Sequence, residues 1–197
     1  TRRAPKLTAA APVEVEWHDA QPALKWGWMR PQGKGLLTQW RTTPVAIDWN
    51  EDGLTDLIML DHEGYLAYFS RERRNGREVL ASPRRIFETQ KSGYLRLNTR
   101  TAGGSGRRKL CVVDWDGDGA LDVLANSPNA ELWKNAGSRE GMTRLVNKGT
   151  LFERNISSHT TSPTVVDWNG DNRPDLLVGA EDGFLYYGRN PHTPEGR

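Results

Sequence analysis

One phrase occurs three times in this chain and restricts its fold more than any other feature. It is a short apolar run, a nine-residue loop rich in Asp and Gly, and a second short apolar run. The copies read Pro44-VAIDWNEDGLTDLIML, Leu110-CVVDWDGDGALDVLAN and Pro163-TVVDWNGDNRPDLLVG. Their first Asp residues, Asp48, Asp114 and Asp167, are 66 and 53 residues apart, so one unit recurs with insertions of unequal length. Apolar runs of four or five residues with β-branched side chains, set between turn signals, predict strands because they are too short for helices. Two copies continue into a third strand, Glu63-GYLAYF and Asp182-GFLYYG, whose middle counterpart is Ala130-ELWKN. Gly64 and Gly183 are placed to make the hairpin turns, with Asn129 in that role in the middle copy. Gly35-LLTQW, Gly93-YLRLN and Gly149-TLFER each supply a candidate fourth strand ahead of the phrase.

Four antiparallel strands repeated around an axis make a β-propeller. The expected fold is therefore all-β, with about three to four four-stranded blades in this chain, forming part of a larger propeller. Residues 1–34 are read as strands of an incomplete blade, from Val13-EVEW and Lys25-WGWM; residues 35–190 carry the blades and 191–197 form a tail. The arginine-rich segment Phe69 to Arg85 and the Gly-rich segment Thr101 to Arg108 are read as long connections, both between the first two copies.

In the middle loop Asp114, Asp116, Asp118 and Asp122 occupy positions 1, 3, 5 and 9, with Gly119 at position 6. Alternate residues of a tight turn direct their oxygens to one centre, and four carboxylates there repel unless a cation joins them. Calcium suits such a set because it accepts six to eight oxygen ligands in irregular geometry, and the Ala120 carbonyl at position 7 would complete the shell. The first loop offers Asp48, Asn50, Asp52, the Leu54 carbonyl and Asp56; the third offers Asp167, Asn169, Asp171, the Arg173 carbonyl and Asp175. Up to three calcium ions are expected. An EF-hand is excluded because its bidentate Glu at position 12 is replaced by Met59, Ala125 or Val178.

Strand, acidic loop, strand, then Asp-Gly and an aromatic strand resembles the FG-GAP and VCBS repeats. These are calcium-loop propeller blades found in integrin alpha-chain heads and in many large secreted bacterial proteins. The resemblance spans Gly35 to Gly188 and implies that the Asp and Asn side chains named above bind calcium. Glu51 at position 4 reads as a harmless departure. Asn172, in place of Gly at position 6, weakens the third loop.

Charge and composition narrow the partners. With the ten loop Asp set aside, 15 carboxylates stand against 27 Lys and Arg, a basic excess suited to carboxylate or sulfate groups on an acidic glycan or a protein ligand. No nucleic-acid motif is visible, and no apolar run is long enough to insert in a membrane. The single cysteine, Cys111, excludes an internal disulfide framework. Thr1 to Leu7 lack the apolar core of a signal, so a mature form or a fragment is expected, of an extracellular or periplasmic protein. A second chain or a missing segment would complete the propeller. Trp49, Trp115 and Trp168 share position 2 of the loops and read as packing residues, whereas Trp17, Trp26, Trp28 and Trp40 lie outside the phrases. The leading expectation is a binding module without catalysis. The alternative is a polysaccharide lyase on uronates, with His159, His62, Tyr65 and Arg107 as candidates to abstract a proton beside the sugar carboxylate.

Overall fold

The computed structural model describes residues 10–17, 33–36, 38–91, 93–99 and 107–191. Lys25–Met29, Arg100 and most of the Gly-rich segment lie outside them. All regular structure among the described residues is β, so no helix there is long and apolar enough to cross a membrane.

Each phrase folds as expected into two antiparallel strands with the acidic loop between them. The first sheet pairs β1 (Val45–Ile47) with β2 (Asp56–Leu60), and β2 with β3 (Leu66–Phe69). The third sheet repeats this with β11 (Ser162–Val166), β12 (Asp175–Gly179) and β13 (Leu185–Gly188). Gly64 (φ +88°) and Gly183 (φ +87°) make the expected hairpin turns. At Gly64 the turn also needs the missing side chain, because a Cβ there would lie 2.0 Å from the Asn98 carbonyl oxygen.

The second sheet has five strands in the order β6 (Phe87–Thr89), β10 (Met142–Thr150), β9 (Ala130–Arg139), β8 (Asp122–Asn126), β7 (Leu110–Val113). The uniform four-stranded blade is therefore not observed. β9 runs well beyond Ala130-ELWKN and turns through Glu140 and Gly141, both at positive φ, into β10. Gly149-TLFER is the end of β10 followed by a bend, and Gly35-LLTQW and Gly93-YLRLN contribute only single bridges. Asn129 does not adopt the left-handed turn conformation; its side-chain amide clamps the Phe152 and Arg154 carbonyls at 2.8 and 2.9 Å. The arginine-rich connection contains a hairpin, β4 (Arg71–Arg74) and β5 (Arg77–Leu80), turned by Asn75-Gly76 with φ +50° and +74°.

The three sheets stack with β1, β7 and β11 side by side. Side chains alternate across a strand, so each β2-type strand serves two faces. Ile58 and Leu60 pack with Phe87, Val123 and Leu145 between the first and second sheets. Trp115, Leu124 and Leu132 pack with Leu176 and Val178 between the second and third. Leu57, Met59 and Phe69, on the outer face of the first sheet, are covered by Val15, Leu36 and Leu80. Residues 13–16 thus form no blade of their own: Glu14 bridges Gly35, Glu16 bridges Ala81, and the chain lies along the first sheet.

The outer face of the third sheet differs. Trp168 is 61% exposed, Leu185 64% and Tyr187 43%. Trp49 packs edge-on against Phe87 at 5.2 Å and Trp115 is buried, each at the interface with the next sheet. Trp168, expected to pack likewise, has no following sheet among the described residues.

Candidate metal loops

The three loops share one geometry. The position 1 carboxylate accepts backbone N–H groups from inside its own loop. Asp48 takes those of Asp52 (3.1 Å) and Gly53 (2.8 Å). Asp114 takes Gly117, Asp118 and Gly119 (2.8 to 3.1 Å). Asp167 takes Gly170, Asp171 and Asn172 (2.8 to 3.0 Å). Such a turn needs left-handed residues at position 6, and Gly53, Gly119 and Asn172 have φ of +82°, +92° and +63°. It needs them at position 4 as well, where Gly117 and Gly170 have φ of +75° and +77° and Glu51 has +60°. Glu51 is therefore a strained residue, contrary to the harmless departure expected of it.

At position 9 the structure adds a role. Asp56, Asp122 and Asp175 are completely buried. One oxygen accepts the N–H of the position 2 Trp in the first two loops, Trp49 to Asp56 at 3.0 Å and Trp115 to Asp122 at 3.1 Å. The other accepts an N–H from within or just beyond the third strand, that of Asn135 (2.7 Å) in β9, or of Arg71 (2.7 Å) and Asn190 (2.9 Å) two residues past β3 and β13. Tyr68 and Tyr187 add hydroxyl donors to Asp56 and Asp175, each at 3.0 Å. These carboxylates tie loop, second strand and third strand together. Burial pushes the Asp122 carboxyl up, and the charges of Asp118 and Asp114 push the same way against the N–H groups of Asn135 and Trp115. Burial acts to raise Asp175 too, but the Asn190 N–H and the Tyr187 hydroxyl, with further backbone donors, hold it below its ordinary value.

Of the three, the middle loop gathers the most carboxylate. Oxygens of Asp114, Asp116 and Asp122 lie within 4.8 Å of one another. The Asp116 side chain is 9% exposed, and its Oδ1 is buried with no hydrogen-bond partner. An orphaned buried oxygen on a carboxylate that clusters with two more fits a hard divalent cation. Asp116 and Asp118 are also held by Lys134 from β9, which pairs with both and lies 3.0 Å from Asp118 Oδ2. Reading the sequence missed Lys134, Asn135, Asn190 and the two tyrosines. Tyr68 and Tyr187 each stand twelve residues after their position 9 Asp, a fixed offset that could have revealed them.

The sheet-flanked acidic loop recurs at Asp114 and Asp167 within one segment of the chain. Residues 114–178 match the family model of the FG-GAP-like repeat. The match runs from position 1 of the middle loop into β12 and so takes in two FG-GAP-like loops and the long β9–β10 hairpin between them. No curated protein and no solved structure matches the chain.

The four residues considered for catalysis do not form one site. Arg107 and His159 line an open groove of about 490 Å³ with Asn126, Ser127 and Ser158. His159 Nδ1 is 2.6 Å from Glu181 Oε2, and Ser158 donates to the other oxygen, Oε1. His62 lines a different depression with Asp61, Arg85 and Tyr94. Tyr65 lies between two guanidinium groups, Arg85 at 3.9 Å and Arg96 at 5.1 Å from its ring. Much of the basic excess has internal partners: Arg85 pairs with Asp61 and Glu63, Arg74 with Glu16 and Glu72, and Arg96 and Arg108 donate to carbonyls.

Proposed function

We propose that this chain is a calcium-stabilised β-propeller segment of an extracellular or periplasmic protein, which binds an acidic glycan or a protein and is completed by further blades. The observation that carries the reading is the loop geometry repeated three times, a position 1 carboxylate capped by N–H groups of its own loop in a turn closed by left-handed residues, with oxygens of Asp114, Asp116 and Asp122 gathered in the middle copy. Asp114, Asp116, Asp118 and Asp122, with the Ala120 carbonyl, would hold one ion. The first and third loops would hold theirs through Asp48, Asn50, Asp52, Asp56 and the Leu54 carbonyl, and through Asp167, Asn169, Asp171, Asp175 and the Arg173 carbonyl. A bound ion neutralises carboxylates that otherwise repel, so it acts on folding rather than on a reaction. Loops without a bidentate Glu suit the near-millimolar calcium outside cells.

The exposed face of Trp168, Leu185 and Tyr187 supports completion by another blade, supplied by a second chain or by more of the same one. Native mass spectrometry in calcium tests both parts, with up to three ions and an associated species expected. Chelator should lower the melting temperature, with magnesium restoring it poorly. An unchanged melt in chelator overturns the calcium reading, and a compact monomer with little dye-accessible apolar surface overturns the completion.

A further inference from the structure

The residue across the sheet from the position 9 Asp differs in the three repeats. Continuing the pairings Leu57↔Phe69, Val123↔Trp133 and Leu176↔Gly188 by one step sets Ser70 opposite Asp56, Lys134 opposite Asp122 and Arg189 opposite Asp175. Ser70 turns from its loop and donates to Glu72 at 3.0 Å. Arg189 reaches Asp171 only at 3.4 Å with its side chain 67% exposed. Lys134 is 28% exposed and pairs with both Asp116 and Asp118. The loop with an Asp at position 3, where the others have Asn, is thus the loop with a closely held cation. One lysine brings the charge of the four Asp at its ligand positions to that of three, the number of ligand-position Asp in each of the other loops.

An ammonium has three N–H donors and cannot replace the six to eight oxygen contacts of calcium. Asp116 Oδ1 accordingly stays buried without a partner beside the Lys134 pair. We propose that Lys134 is a built-in competitor for the divalent ion of the middle loop: its ammonium holds Asp116 and Asp118 in the metal-free state and must withdraw for the ion to enter. This rests on the calcium reading above. The loop with the most ligand-position Asp is then not the tightest, and Lys134 sets the calcium level at which it fills. In the metal-free protein the same lysine keeps the four carboxylates from repelling.

The test uses the full chain with Lys134→Ser, which installs the residue of the first repeat, and Lys134→Arg. Calcium titration calorimetry should show one site of Lys134→Ser tightened by about tenfold, equivalent to about 1.4 kcal/mol, with the other sites unchanged. In chelator Lys134→Ser should melt below wild type, whereas in saturating calcium it should match or exceed it. Lys134→Arg, which keeps the charge, should stay near wild type. Calcium binding by Lys134→Ser at wild-type affinity, with no loss of stability in chelator, overturns the proposal and leaves the calcium reading standing. Absence of calcium binding in both wild type and Lys134→Ser overturns the reading and the proposal with it.

Discussion

Replacing Asp122 by Ala should damage the fold whether or not a metal is bound. Its carboxylate is completely buried and accepts the N–H of Trp115 at 3.1 Å and of Asn135 at 2.7 Å. Truncation leaves two backbone donors without partners in the interior, at about 1–3 kcal/mol each, and opens a small void. A loss of about 4 kcal/mol corresponds to a fall in melting temperature of roughly 8–16 °C for a chain of this size. Asp118→Ala is the matched control, because Asp118 is exposed and, among the described residues, its oxygens engage the Ala120 N–H and Lys134. Melting each variant by circular dichroism in calcium and in chelator separates the two roles. The Asp122→Ala deficit should persist in chelator, whereas that of Asp118→Ala should largely vanish. If both deficits disappear in chelator, position 9 is a metal ligand and no more, and the strut described here is wrong.

Two further substitutions test the backbone. Gly64→Ala should cost about 2–5 kcal/mol in urea denaturation, from its left-handed φ and the 2.0 Å approach to the Asn98 carbonyl. Gly183→Ala, at the same φ with nothing within 4 Å, should cost only about 1–2 kcal/mol, and equal losses would refute the close approach. Glu51→Gly should stabilise the protein by about 0.5–1 kcal/mol, because position 4 is left-handed in all three loops and the relief outweighs glycine's added chain entropy. A destabilised Glu51→Gly protein would show that the Glu51 side chain makes a compensating contact.

Much of the fold was legible because the repeated strands obey one rule throughout. In β2, β8 and β12 a buried Asp leads directly into apolar residues, so both the strand and the loop before it are visible in the sequence. The strands that escaped notice are polar. Arg71–Arg74 carries no apolar alternation, and its hairpin was betrayed only by Asn75-Gly76. Met142–Thr150 alternates weakly because one of its faces is exposed over much of its length. Spacing assigns each Asp its loop position, but it does not report burial. Asp122 and Asp118 look alike in the sequence, yet one is sealed between two strands and the other faces solvent. Trp168 is the converse case, since its repeat position implied packing that depends on a neighbouring sheet.

That dependence separates the two ends of the stack. The outer face of the first sheet needs no partner, because Val15, Leu36 and Leu80 already cover Leu57, Met59 and Phe69. The outer face of the third sheet presents Val166, Trp168, Leu185 and Tyr187 to water. A face of two aromatic and two aliphatic side chains, each worth about 1.5–3 kcal/mol when fully buried, is a strong site for association. In the propeller reading, growth of the stack would be directed to this end. Trp168 is also position 2 of the third loop, and its ring lies against Tyr187, whose hydroxyl donates to Asp175. Covering this face would therefore brace the third loop through the Trp168–Tyr187–Asp175 contacts, much as the following sheet encloses Trp115 beside the middle one. In the propeller reading, blade addition and ion binding at the third loop are coupled, and the ion there is held more tightly in the completed assembly than in the chain alone.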